Sequence, residues 1–289
     1  MTLSSARRFL LSAALLGAAT LLAASPARAD RMALWTIVHG QCTPHMAAGQ
    51  GPKPCERVDL SHGEDKGVAL LKDLHGVAQY LAIPTGRVTG IEDPQVLAPD
   101  APNYFAYAWA NSDAVAAKLG RALPREAIGL SINSQFSRSQ DQLHIHVDCV
   151  DKEVVTALAA YKSALDDQWR VMTESLKGRR YWARRLDSAD LSSADPLRLM
   201  ADGLEGAKDH MGLQTLIAVG ADFQGKPGFI LLADHAELAA GGHAEDLQDA
   251  DCKGFLVTRS NPFFWSPPRR RRPRHCEAAD AEAKWRRAR

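Results

Sequence analysis

The seven residues Gln142-Leu143-His144-Ile145-His146-Val147-Asp148 alternate strictly between polar and apolar side chains. A repeat of two is the period of a β-strand, in which successive side chains leave on opposite faces. The run predicts a half-buried strand, with Gln142, His144, His146 and Asp148 on one face and Leu143, Ile145, Val147 and Cys149 directed into a core. A chain carrying such a strand has to build a sheet around it. The same alternation sets two imidazoles together on a rigid support. A His-x-His pair of this kind fits a surface or structural role, a metal site, or the working groups of an active site.

Neighbouring segments supply the sheet and its cover. Residues 67–74 and 77–84 read as two strands around a turn at His75-Gly76, and residues 127–133 as a third strand joined to the histidine strand by the polar connector 134–141. Between them, a Pro- and Asp-rich loop over 85–102 precedes an amphipathic helix over 103–119, with Phe105, Ala108, Val115 and Leu119 on its buried stripe and Gly120 as its stop. Residues 150–176 read as largely helical, and 179–186 as a basic, aromatic segment of undefined structure. Asp195-Pro196 opens a further helix to about 202, and strands near 213–220 and 228–233 flank a turn at Gly225-Lys226-Pro227.

The two ends differ from this body. Arg7 and Arg8 precede an uncharged apolar stretch over 9–24, and Ala27-Arg28-Ala29 offers a cleavage site before Asp30, so residues 1–29 read as a signal peptide or, second, an N-terminal membrane anchor. Either places the body, residues 30–256, in an oxidising compartment. Cysteine usage agrees. Cys42 and Cys55 flank a Gly/Pro loop, Cys149 ends the histidine strand, Cys252 lies near the end of the regular sequence, and Cys276 is left over. Four cysteines allow three connectivities; position favours Cys42–Cys55 with Cys149–Cys252. Residues 257–289 contain Arg269-Arg270-Arg271-Arg272-Pro273-Arg274 and form a basic, Pro/Arg-rich tail that is either disordered or an electrostatic contact for anionic lipid. The net charge of +1 gives no reason to expect nucleic acid as a partner.

Taken together, Asn133, Ser139-Gln140 and Gln142-Leu143-His144-Ile145-His146-Val147 resemble the histidine-triad signature of nucleotide hydrolases and transferases, in which three histidines alternate with apolar residues. A longer ordered set makes the chain similar to the bacterial CDP-diacylglycerol pyrophosphatases. That set runs through Leu70-Leu71-Lys72-Asp73-Leu74, Tyr80-Leu81, Ile83-Pro84-Thr85 and Pro102-Asn103-Tyr104-Phe105. It continues through Ile132-Asn133-Ser134, His144-Ile145-His146, Tyr181-Trp182-Ala183-Arg184-Arg185 and His210-Met211-Gly212. It spans residues 34 to 256, the four cysteines fit the same pattern, and the basic tail falls outside it.

The resemblance implies a single α+β domain of histidine-triad-like fold, an antiparallel sheet with packed helices, and hydrolysis of CDP-diacylglycerol to CMP and phosphatidate at a membrane surface. The placement it implies is the periplasmic face of the inner membrane, with no cofactor and no metal. It assigns His144 as nucleophile, forming a cytidylyl-histidine, and His146 as the contact to phosphate and leaving group. Asn133, Ser139 and Gln140 then bind non-bridging oxygens. Gln142 stands where the first triad histidine belongs; it bonds as donor and acceptor but carries no proton charge. That departure leaves two alternatives in view, a CMP transferase on the same scaffold and a weakly catalytic nucleotide- or lipid-binding module. Arg184 and Arg185 either neutralise the substrate's pyrophosphate or lie on a solvated helix face.

Overall fold

In a computed structural model describing residues 30–237 and 241–255, the alternating run lies at the centre of a nine-stranded sheet ordered β1-β2-β3-β5-β4-β8-β9-β7-β6. The strands are β1 (Arg57–Asp59), β2 (Val68–Lys72), β3 (Tyr80–Pro84), β4 (Ile128–Ile132) and β5 (Ile145–Cys149), followed by β6 (Arg170–Val171), β7 (Trp182–Leu186), β8 (Gln214–Phe223) and β9 (Lys226–His235). Every neighbouring pair is antiparallel. The described residues also form six α-helices: α1 (Ala33–Ile37), α2 (Thr43–Ala47), α3 (Tyr104–Ala110), α4 (Asp113–Leu119), α5 (Lys152–Tyr161) and α6 (Pro196–Gly203). The described residues 30–254 thus form one α+β unit. The expected leader and basic tail lie outside the described residues, within which no helix is long and apolar enough to cross a membrane.

Register shows what covers the histidines. His146 lies opposite Leu81 of β3 and Ser131 of β4, and Ser131 lies opposite Ile217 of β8, so all four share one face. That face carries two apolar clusters. One joins Leu34, Val38, Leu71, Leu81 and Ile83 under the α1–α2 rod. The other joins Val154 and Leu158 of α5 to Ile217, Val219 and Leu232. The polar site occupies the seam between them. A π-helical turn, Val38–Cys42, links α1 to α2, and the rod is fastened to the loop before β1 by the disulfide Cys42–Cys55. A second disulfide, Cys149–Cys252, ties the C-terminal segment to the end of β5. Both bridges are those favoured from position in the sequence, and both suit an oxidising compartment.

Several expectations need correction. β5 is not half-buried: every residue from Gln142 to Cys149 is buried, because the α1–α2 rod and the segment 243–252 cover its polar face. The helix expected over 150–176 stops at Tyr161, where apolar spacing ends. Asp166 then makes a turn, its carboxylate accepting from Gln168 N and Arg170 and its carbonyl from Arg185 N, bonds that compete with a helix. The segment 103–119 is two helices, since Asn111 Nδ2 and Ser112 Oγ donate back to Tyr107 O and Trp109 O and break the ladder. Gly120 does stop the second, in the left-handed region at φ 66°. The basic segment 179–186 contains strand β7. Asp195 caps α6 through Leu197 N, as Asp195-Pro196 indicated.

Candidate active site

His144 precedes β5 by one residue, and its own strand fixes its chemistry. The ring Nδ1 lies 2.7 Å from the carbonyl oxygen of Gln142, a group that only accepts. Nδ1 therefore carries the proton and donates, which leaves the lone pair on Nε2. Burial, and secondarily the neighbouring His146, hold the imidazole pKa down to about 4. The ring is neutral at pH 7, with Nε2 unprotonated and its lone pair free.

His146 is set in the opposite sense. Gln79 Nε2 lies 2.7 Å from its Nδ1, and an amide N–H donates, so Nδ1 accepts and the proton sits on Nε2. Burial holds this ring also to about 4, while the Asp73 carboxylate opposes the shift. The two rings meet edge to face at 5.0 Å between centroids. One presents a lone pair and the other a proton, a pairing suited to displacing a leaving group.

Glu245 adds a carboxylate. Its Oε2 lies 3.3 Å from His146 Nε2 but accepts its well-formed hydrogen bond, at 2.6 Å, from Asn133 Nδ2. The imidazole contact is not directed as a hydrogen bond and the ring is neutral, so this is a close approach rather than an ion pair. Glu245 arrives on a single helical turn, Ala244–Leu247, that is clamped to the sheet. Ala244 N donates to Thr215 Oγ1, which donates to Ile132 O; Gln248 Nε2 donates to Gly129 O, and its Oε1 accepts from Ser131 Oγ.

These groups border a cleft of about 710 Å³, lined by His144, His146, Asn133, Glu245, His243 and Asp73, with Ser139 and Gln140 from the connector and Leu34, Ile37 and Leu71 on an apolar wall. Lys72 stands at its edge, donating to the carbonyls of Asp73, His75 and Gly76, with its pKa lowered by burial. Arg138 is spoken for by Glu92 and Asp141. Among the described residues the one His/Cys/Asp/Glu group whose ligand atoms converge is Asp148 with Cys149 and Cys252. Those sulfurs form a disulfide and offer no thiolate to a metal.

Comparison with known proteins fits this geometry. The family model described as CDP-diacylglycerol pyrophosphatase matches residues 29–255. A protein of Yersinia pestis named CDP-diacylglycerol pyrophosphatase is 43% identical over 223 residues, covering 76% of this chain and 84% of that protein. The chain belongs to the CDP-diacylglycerol pyrophosphatase family. It is thereby a hydrolase.

The family match ends with the described body and excludes the basic tail. Within the body the structure brings His144, His146, Asn133, Ser139 and Gln140 to one cleft. Gln140 is engaged there in holding the chain's entry, accepting from Leu34 N and donating to Asp30 O. Gln142 is not in the cleft. Its side chain is fully buried on the other side of the loop after β3, donating to Pro84 O and Gly86 O and accepting from Arg87. It serves His144 through its backbone carbonyl alone.

The pyrophosphate-neutralising role considered for Arg184 and Arg185 is corrected, as is the solvated helix face. Both lie on strand β7, four strands from β5. Arg185 pairs with Asp187 and stacks over Phe223 at 4.0 Å, and neither arginine borders the cleft. Sequence reasoning missed Gln79, Asp73, His243 and Glu245. Gln79 had a usable signal, a polar residue within an otherwise apolar strand entry. Glu245 had none.

Proposed function

We propose that the protein hydrolyses the pyrophosphate bond of CDP-diacylglycerol to CMP and phosphatidate through a cytidylyl intermediate on His144. The carrying observation is the bond from His144 Nδ1 to the Gln142 carbonyl, which leaves a neutral ring with its lone pair on Nε2 beside a second ring that holds a proton. In the first displacement Nε2 attacks the phosphorus bearing cytidine, the N–P bond forms, and the P–O bond to phosphatidate breaks. His146 Nε2–H stabilises the departing oxygen. In the second, water attacks the same phosphorus, the N–P bond breaks to return neutral His144, CMP leaves, and the water proton passes to the Glu245 carboxylate. Asn133 and Ser139 donate to non-bridging oxygens, and the Lys72 ammonium offsets part of the pyrophosphate charge. The histidine-triad-like order of groups supports this reading, with the backbone of Gln142 supplying what the Nδ1 proton requires.

The test is to mix the full-length protein with CDP-diacylglycerol labelled on the cytidylyl phosphate and quench in base. Stoichiometric label on His144, absent in His144→Ala, together with CMP release, supports the mechanism. Label that persists until an acceptor other than water is added identifies a transferase. Binding with neither label nor product identifies a non-catalytic module.

We further propose that the protein works at the periplasmic face of the inner membrane. The two disulfides support export, and residues 1–29 carry the signal or anchor. In this reading the working domain is 30–256, and the basic residues of 257–289 lie outside the catalytic body.

A further inference from the structure

The most exposed large apolar side chains among the described residues are Leu74, 98% exposed, and Phe136, 67% exposed. They are far apart in sequence, yet each sits on a loop that contributes to the catalytic cleft. Leu74 is at the tip of the β2–β3 hairpin, between cleft residues Asp73 and His75, with Val77, 45% exposed, on the same loop. Phe136 lies in the β4–β5 connector, between cleft residues Asn133 and Ser137. An isolated exposed leucine is ordinary; apolar tips on two loops around one cleft are not.

Neither tip is loosely held. Lys72 Nζ donates to three carbonyls of the first loop, and Val77 N donates to Ala250 O at 2.8 Å. Gly76, at φ 68°, presses close enough that a Cβ there would lie 2.9 Å from that same oxygen. The connector is braced by Gln135 N to Gly212 O, Ser137 N to Ser134 O and Ser137 Oγ to Gly241 O. A braced loop that displays a leucine or phenylalanine to water gains nothing in folding from that side chain. It gains when the side chain meets an apolar phase. Below the lip, the cleft wall continues apolar through Leu34, Ile37 and Leu71 to the polar floor at the histidines.

We propose that Leu74 and Phe136 form a membrane-docking lip, inserting at the headgroup–acyl boundary of a lipid bilayer so that a lipid pyrophosphate enters headgroup first without leaving the membrane. This rests on the proposed lipid substrate, and identifies which face of the protein meets the bilayer. The partner is the apolar boundary of the bilayer, with acyl chains lying against the leucine wall and the nucleotide end at His144.

The test uses full-length protein carrying Leu74→Ser with Phe136→Ser, and two substrates: long-chain CDP-diacylglycerol in phosphatidylcholine vesicles, and a short-chain form dissolved as monomer. Removing two inserted side chains is expected to raise the vesicle KM about ten-fold or more, leaving short-chain kcat/KM within about two-fold of the parent. Equal loss on both substrates, or no change on vesicles, overturns the lip. If the parent cleaves neither substrate, the proposed activity is what has failed, and the lip is judged by an environment-sensitive fluorophore on Leu74→Cys in a Cys276→Ser background. A blue shift on phosphatidylcholine vesicles, quenched by brominated acyl chains, supports docking; an unchanged spectrum overturns it.

Discussion

Replacing Gln79 probes the second histidine without touching the cleft. Gln79 is 3% exposed, and its side-chain amide donates to His146 Nδ1 at 2.7 Å. In Gln79→Leu that nitrogen is buried without a partner, at a cost of about 1–3 kcal/mol in stability. The proton is then free to move to Nδ1, where it cannot reach a leaving group, so we expect kcat to fall about 10²-fold, the contribution of one positioned proton donor. KM should change little, because Gln79 does not border the cleft. Gln79→Glu adds a sign test. In the parent both rings are held near 4, so kcat/KM should stay flat from neutral pH down to about 5 and fall only as protons reach His144 Nε2. A carboxylate against His146 Nδ1 stabilises the imidazolium and draws the proton onto Nδ1, and should raise that ring's pKa by about 1–3 units. Nε2 then bears a proton only in the imidazolium, so kcat should rise as pH falls through that raised pKa, where the parent's stays flat. The assay is CMP release from short-chain substrate across pH 4–8, with circular dichroism confirming the fold. An unchanged kcat in Gln79→Leu, or a Gln79→Glu profile as flat as the parent's between pH 5 and 8, would refute the assigned proton positions.

Further expectations follow from the same contacts. Glu245→Gln keeps the bond geometry with Asn133 but removes a proton acceptor, so label should still reach His144 while its hydrolysis slows about 10- to 100-fold; rapid-quench kinetics would show a burst followed by slow turnover. Cys149→Ser with Cys252→Ser opens a loop spanning 103 residues and should cost about 4–5 kcal/mol by chain entropy, read as a lower denaturant midpoint, with activity also lost because the same segment carries Glu245. Arg185→Ala should leave kcat/KM within about two-fold and lower stability by about 0.5–1 kcal/mol, through the lost stacking on Phe223.

What was legible in the sequence was what local periodicity encodes. The alternation in 142–148 marked the histidine strand, Asp195-Pro196 marked the start of α6, and Gly120 marked a helix end, each because one residue's chemistry decides the local backbone. The covering of β5 was not legible, since burial of its polar face depends on segments distant in sequence. Glu245 lies 112 residues from the Asn133 that holds it and reaches the cleft only through the β8–β9 hairpin and the clamp at Thr215. No spacing announces such a contact. Arg184 and Arg185 failed for the opposite reason. A basic run invites a phosphate, but on this edge-proximal strand Arg185 pairs with Asp187 and stacks over Phe223, and neither guanidinium borders the cleft. Gln142 was informative at the right position for a partly different reason: its side chain builds the loop after β3, and its carbonyl orients the His144 ring.

In the proposed mechanism the phosphorus bearing cytidine undergoes two displacements, first by His144 Nε2 and then by water. Each in-line displacement inverts configuration at phosphorus. The most direct measurement is the stereochemical course with a substrate whose cytidylyl phosphate is a chiral phosphorothioate, hydrolysed in oxygen-18 water and analysed by phosphorus NMR. Two displacements predict net retention. Net inversion would mean that water attacks directly, and would contradict a covalent role for His144.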